Sequence, residues 1–214
     1  AFTVPGFISS RNIQGLLLSV TLIGSISVTM MFVLALGEVD LSVASIVAFA
    51  GVVASTLITA THSVVLGVGA GVLAGGLVGL VNGVLVARYQ INSLIVTLAM
   101  MEVVRGLAFI TSNGDAVMIS EERFFDLGGG SFLGISYPIW SNIVGFAAFG
   151  FLLKKTVFGK NVLAVGGNEE AALLAGLPVT RIKIAVFVLQ GLVTGFAGVM
   201  LASRMSLGDP KTSV

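Results

Sequence analysis

The sequence predicts an all-α fold, a polytopic bundle of transmembrane helices. Of its 214 residues 56% are hydrophobic and only 10% charged, and mean hydropathy is +1.09. A soluble domain carries about 25% charged residues, so this chain lacks the polar surface that water requires. Its apolar residues also gather into six stretches of the length a bilayer needs, about 20 residues each. The whole reads as one transmembrane domain, 1–214, with about six spans.

In chain order the spans are 13–36, 41–61, 63–87, 91–111, 137–153 and 184–202. Three joints are short: GEVD at 37–40, a turn at His62, and RYQ at 88–90. Two longer segments, 112–136 and 154–183, hold most of the remaining charge. The opening AFTVPGFISSRN has neither a charged leader region nor a small-residue cleavage site. It starts on a loop, and the chain is expected to be a piece of a longer protein.

The third span carries Gly67, Gly71, Gly75, Gly79 and Gly83, an i, i+4 series that makes one ridge along a helix. Small residues let backbones approach where lipid offers no hydrophobic gain, so the span lies inside the bundle or at a subunit interface. Gly191 and Gly195 repeat the spacing in the last span.

Cytoplasmic loops carry an excess of Lys and Arg. With alternating spans, Arg88, Lys154, Lys155, Lys160, Arg181 and Lys183 share one side. The other side holds Arg11, Arg123, Arg204 and Lys211, diluted by Asp115, Glu121, Glu122, Asp126 and Asp209. Segment 154–183 is therefore read as cytoplasmic and 112–136 as external.

Charges within spans are costly and mark either a partner or a pathway. Glu102 and Arg105 are i, i+3 on one helix face: a self-neutralising structural pair or a polar path lining. In GEVDLS, Ser42 can cap span 41–61, and Asp40 is either itself that N-cap or a residue of substrate passage or gating. Asn82, Asn92 and Gln190 can hydrogen-bond a polyol or a neighbouring helix. His62, at its turn, has no acidic residue or second histidine near it in sequence, and Tyr137 and Trp140 read as interfacial belt residues.

Several function classes drop out. There is no cysteine, which removes disulfides and thiolate chemistry, and one histidine gives no metal or hydrolase motif. A net charge of +1, without basic runs, gives no case for nucleic acid. No G-x-x-x-x-G-K-[ST] loop is present, so ATP, if used, is hydrolysed by another chain. The segment GGNEEAALLAG, 166–176, stands apart as one short amphipathic helix. Asn168 is a preferred N-cap, Glu169 and Glu170 suit the positive end of the helix dipole, and Gly176 with Pro178 stops it. Between them Ala171, Ala172, Leu173, Leu174 and Ala175 give a small face and an apolar face: an ordinary capped helix in a loop, or one that lies in a groove on another protein.

Four stretches resemble the membrane permeases of ABC sugar importers of the ribose, galactose, xylose and arabinose group. They are GEVDLSVASIVAFAG at 37–51, NGVLVARYQINSLIVTLAMMEVVRGLAF at 82–109, FGKNVLAVGGNEEAALLAG at 158–176, and LASRM at 201–205. The resemblance implies that 166–176 is a coupling helix for a cytoplasmic ATPase subunit. Asn168 and Glu169 precede a core matched by Glu170, Ala171, Ala172 and Gly176. The importer motif's later I-x-L-P is absent, Val186, Phe187, Val188 and Leu189 standing there instead. It further implies a bacterial inner-membrane importer of L-arabinose or a related pentose. A second permease copy, an external sugar-binding protein and surrounding lipid are its expected partners, with ATP and Mg on the ATPase and no cofactor or metal on this chain. The rivals are a secondary transporter using Glu102 or Asp40 as its ion site, and a membrane scaffold or channel without pumping.

Overall fold

The computed structural model describes residues 9–212; the side chains of Ser10 and Arg11 lie outside the description, and with them the external placement of Arg11. Four long helices come first: α1 (Ser10–Ala35), α2 (Val43–Thr61), α3 (Val64–Arg88) and α4 (Ser93–Thr111). Polar side chains start three of them. Ser9 accepts from Asn12 N at 3.3 Å, Ser63 from Leu66 N at 3.4 Å, and Asn92 from Leu94 N at 2.9 Å. Each uses a backbone donor the first helical turn leaves unpaired.

The segment read as an external loop is partly ordered: β1 (Val117–Met118), α5 (Glu122–Gly129) and the hairpin of β2 (Ser131–Phe132) and β3 (Ile135–Ser136). Leu133 and Gly134 both take positive φ, which a tight two-residue hairpin turn requires. Next come α6 (Tyr137–Lys155), α7 (Val157–Gly167), α8 (Glu169–Leu174), α9 (Val179–Met205) and β4 (Leu207–Gly208). Strands β1 and β4 pair antiparallel.

Five of these helices, α1 to α4 and α9, are long and apolar enough to cross a membrane alone. The expected span 137–153 falls in α6, which passes that test only together with α7, the pair bending by 69° between them. Two boundaries move. Segment 154–183, read as a loop with one helix, folds into α7, α8 and the first turn of α9; the last span then runs 179–205 rather than 184–202.

Helix α9 is the centre of the bundle, packed on α1, α2, α3 and α5. The glycine ridge decides how closely α3 approaches it. A Cβ added at Gly71 would lie 2.7 Å from Ala50 O and 2.6 Å from Val199 Cγ2, and one at Gly83 would lie 2.9 Å from Ile184 Cα. At Gly67 it would meet Ala54 O, at Gly75 Gly191 O, and at Gly79 Phe187 O. All five therefore face α2 or α9, which places the ridge inside the bundle.

At one end lie the joints 36–42 and 89–92 with α7 and α8. At the other lie the α2–α3 turn, α5 and the strands. Here Ser203 of α9 holds α5, accepting from Gly128 N at 2.7 Å and donating to Phe124 O at 2.6 Å. The reading of His62 as remote from any acid is corrected: its Nδ1 lies 2.7 Å from Glu121 Oε1, just ahead of α5. Trp140 donates to Phe132 O at 3.0 Å and so braces the hairpin at the start of α6.

Candidate functional site

Helix α8 forms as its sequence signals indicate. Asn168 Oδ1 accepts from Ala171 N at 2.9 Å, and Glu169 and Glu170 occupy the first turn. Gly176 takes φ +82, and two crossed bonds close the end: Gly176 N to Leu173 O and Leu177 N to Ala172 O, both 3.0 Å. This is the Schellman arrangement, which needs the left-handed residue that glycine supplies without strain.

The helix has one inward side chain, Ala172, 6% exposed. Ala171, Leu173 (62%) and Leu174 (83%) point outward with Glu170. Two exposed leucines on a six-residue helix form an unpaired apolar face beside acids. The sequence showed that face, but the motif residues alone left Leu173 and Leu174 out of the candidate set.

Helix α7 anchors α8 to the bundle. Thr156 ends α6 and caps α7, accepting from Gly159 N at 3.1 Å. Val162 and Val165 are buried in a cluster with Phe32, Leu36, Val86, Ala172 and Phe187, and Leu177 packs against it. Phe158 stacks on Phe32, ring centroids 6.3 Å apart, while Phe149 meets that ring edge-on at 6.0 Å. Gly166 backs onto Ala35 O, leaving no room for a Cβ.

An ion triad adds a polar tie. Lys183 Nζ lies 2.8 Å from Glu38 Oε1 and 2.8 Å from Glu169 Oε2. These three residues line an open polar cleft with Gln90 and Asn92. Of the six candidate path residues, Asn92 alone lines this cleft, and its carboxamide is already used as the α4 cap.

Asp40 and Asn82 are brought together through Ser42. Asp40 Oδ1 accepts from Ser42 N at 2.9 Å and Ser42 Oγ at 2.6 Å, and Ser42 Oγ accepts from Asn82 Nδ2 at 2.9 Å. Of the two cap candidates, Ser42 holds the cap position, and Asp40 instead closes a turn ahead of it. Gln190, fully buried on α9, donates to Thr194 Oγ1 at 3.4 Å. Glu102 and Arg105 sit on α4 with a 3.6 Å ion pair, Glu102 on the exposed side.

Asp40 is fully buried, and its Oδ2 has no hydrogen-bond partner among the described residues. Burial holds this carboxyl above the usual carboxylate range, and the Ser42 hydroxyl and amide bonds offset part of that rise. A pKa raised on folding favours the folded state below the unfolded value, and that advantage is lost as pH rises through the folded one. Asp40→Asn keeps an acceptor for Ser42 and removes the buried charge, so at neutral pH it is expected to melt no lower than wild type in detergent. The difference shrinks as pH falls through the raised folded value and is gone below the ordinary carboxylate value, about pH 4. Asp40→Ala strips Ser42 of its acceptor and costs about 1–3 kcal/mol. An Asn variant less stable than wild type at neutral pH contradicts this account.

The branched-chain amino acid transport system / permease component family matches residues 12–214. The L-arabinose ABC transporter permease protein AraH of Azospirillum brasilense is 90% identical over the whole chain, which covers 63% of that relative. The L-arabinose transport system permease protein AraH of Escherichia coli K12 is 52% identical, again over the whole chain and 65% of the relative. The ribose import permease protein RbsC of Bacillus subtilis 168 is 36% identical over 96% of the chain and 65% of its own length. The chain thus spans less than two thirds of these curated relatives. No solved structure matches it. With its membrane-length helices and a match over almost its full length, the chain belongs to the branched-chain amino acid transport system permease component family.

Proposed function

We propose that this chain is the membrane-spanning part of a permease subunit in an ATP-driven importer of L-arabinose. The observation that carries the coupling role is the outward face of α8: Leu173 and Leu174 beside Glu170, on a helix capped at both ends and fixed to the bundle from behind. A rigid knob of this kind transmits force instead of absorbing it. The cargo reading is supported by the 90% identity to a protein named as an L-arabinose permease.

In this reading a cytoplasmic ATPase holds ATP and Mg and docks on α8. Closure of the ATPase pair moves α7 and α8, and the bundle switches between outward-open and inward-open states. A second copy of the permease completes the path as a homodimer, and an external sugar-binding protein meets the α5 and hairpin end. The permease contacts sugar weakly, because a path that bound tightly would release slowly. Asn82, Gln190 and Asn92 supply uncharged hydrogen-bonding groups of the kind a sugar path uses.

The test is uptake of labelled L-arabinose by proteoliposomes holding the full-length permease, with the binding protein outside the bilayer leaflet that mimics the periplasm. Uptake is expected only when the ATPase and ATP are both present. Uptake without the ATPase, driven by a proton or sodium gradient, would instead make the protein a secondary carrier, and ATP-insensitive leak would make it a channel.

A further inference from the structure

Residues 38–42 form a hub out of proportion to their number. Val39 N donates to Ser93 Oγ at the start of α4, at 3.2 Å. Asp40 and Ser42 hold Asn82 of α3. Glu38 binds Lys183 of α9, which binds Glu169, the first residue of α8. One short joint therefore meets α3, α4 and α9, and through a single ammonium it meets α8.

The two arms of that ammonium differ. Lys183 is 7% exposed, and its Glu38 partner is largely sheltered, whereas the Glu169 side chain is 53% exposed. Ion pairs strengthen as water is excluded, so the Glu38 arm is the stiffer one. Behind α8 the remaining ties are apolar, Ala172 and Leu177 against the shared cluster. Apolar contacts resist separation but little resist sliding, because they have no preferred direction. A directional ion pair does resist sliding, and it points from α8 toward the joint.

We propose that Lys183 and Glu38 are positioning residues that carry displacement of α8 into the 38–42 joint, so that α3, α4 and α9 move in phase with it. The proposal rests on the reading that α8 receives the ATPase.

Glu38→Gln tests it in the full-length complex with its ATPase and sugar-binding protein. Glutamine keeps the shape and one acceptor, and Lys183 keeps Glu169, so no buried charge is stranded. Sugar moved per ATP hydrolysed is expected to fall roughly five-fold or more, the lower range of ordinary coupling between sites. ATPase binding and hydrolysis rate of the assembled complex stay at wild-type values, while melting temperature falls modestly with the loss of one sheltered charge pair. Lys183→Arg, whose planar fork reaches two carboxylates, is expected to retain the wild-type ratio. A wild-type ratio in Glu38→Gln overturns the proposal, as does a parallel fall in uptake and hydrolysis, which marks a merely structural role. If the wild-type permease fails to bind its ATPase at all, the docking reading itself falls, and this proposal with it.

Discussion

Replacing Gly79 by leucine is expected to prevent α3 from seating on α9 and to leave little extractable folded protein. The Cβ alone would meet Phe187 O and lie 3.2 Å from Gly191 Cα, and both belong to the backbone of a helix that packs on most of its neighbours. Neither atom can swing aside as a side-chain end would. Overpacking costs about 1–3 kcal/mol where neighbours can shift, and more where they cannot. In lipid no gain in hydrophobic burial offsets a lost close approach. Gly69→Leu on the same helix is the control, since nothing lies within 4 Å of a Cβ there. Size-exclusion profile and melting temperature in detergent are the readouts. The account expects Gly69→Leu to behave as wild type and Gly79→Leu to aggregate or melt several degrees lower. Equal stability of the two would mean that the ridge does not set the packing.

The parts of the fold that were legible in the sequence are those set by local pattern. Five of the six expected spans followed from hydropathy as single helices, the sixth only as the bent α6–α7 pair, and the glycine ridge followed from its four-residue period. Helix α8 followed from Asn168, Glu169, Glu170 and Gly176, a start and a stop signal about two turns apart. What was hidden depends on distance along the chain. Lys183 read only as an orientation charge, because Glu38 lies 145 residues away. His62 looked isolated because Glu121 is 59 residues on. Helix α7 looked like loop because FGKNVLAVGG holds three glycines and a lysine, yet Gly159 and Gly166 are the points where its backbone meets Leu153 and Ala35. Asp40 was placed at the right helix start but at the wrong position in the cap, since the choice between Asp40 and Ser42 depends on backbone geometry. The path residues stayed scattered for a related reason. Asn82 and Asp40 meet only through Ser42, whose sequence signal was that of a helix cap and not of a bridge to α3.

The second large effect falls on the outward face of α8. Leu174 is 83% exposed and packs on nothing that folding requires, so Leu174→Asp is expected to fold normally. If α8 is the docking surface, as proposed, the same side chain is buried in the complex. Burying a leucine contributes about 1.5–3 kcal/mol, and an aspartate there also pays for desolvation without a partner. Glu170→Lys reverses the charge beside it and alters the same surface by a different route. The central claim is that α8 is where a separate ATPase engages this permease, and the affinity between the two tests it most directly. For full-length permease in nanodiscs titrated with its purified ATPase, both variants are expected to bind roughly ten- to a hundred-fold more weakly than wild type. Wild-type affinity in both, with unchanged sugar uptake, would contradict the account.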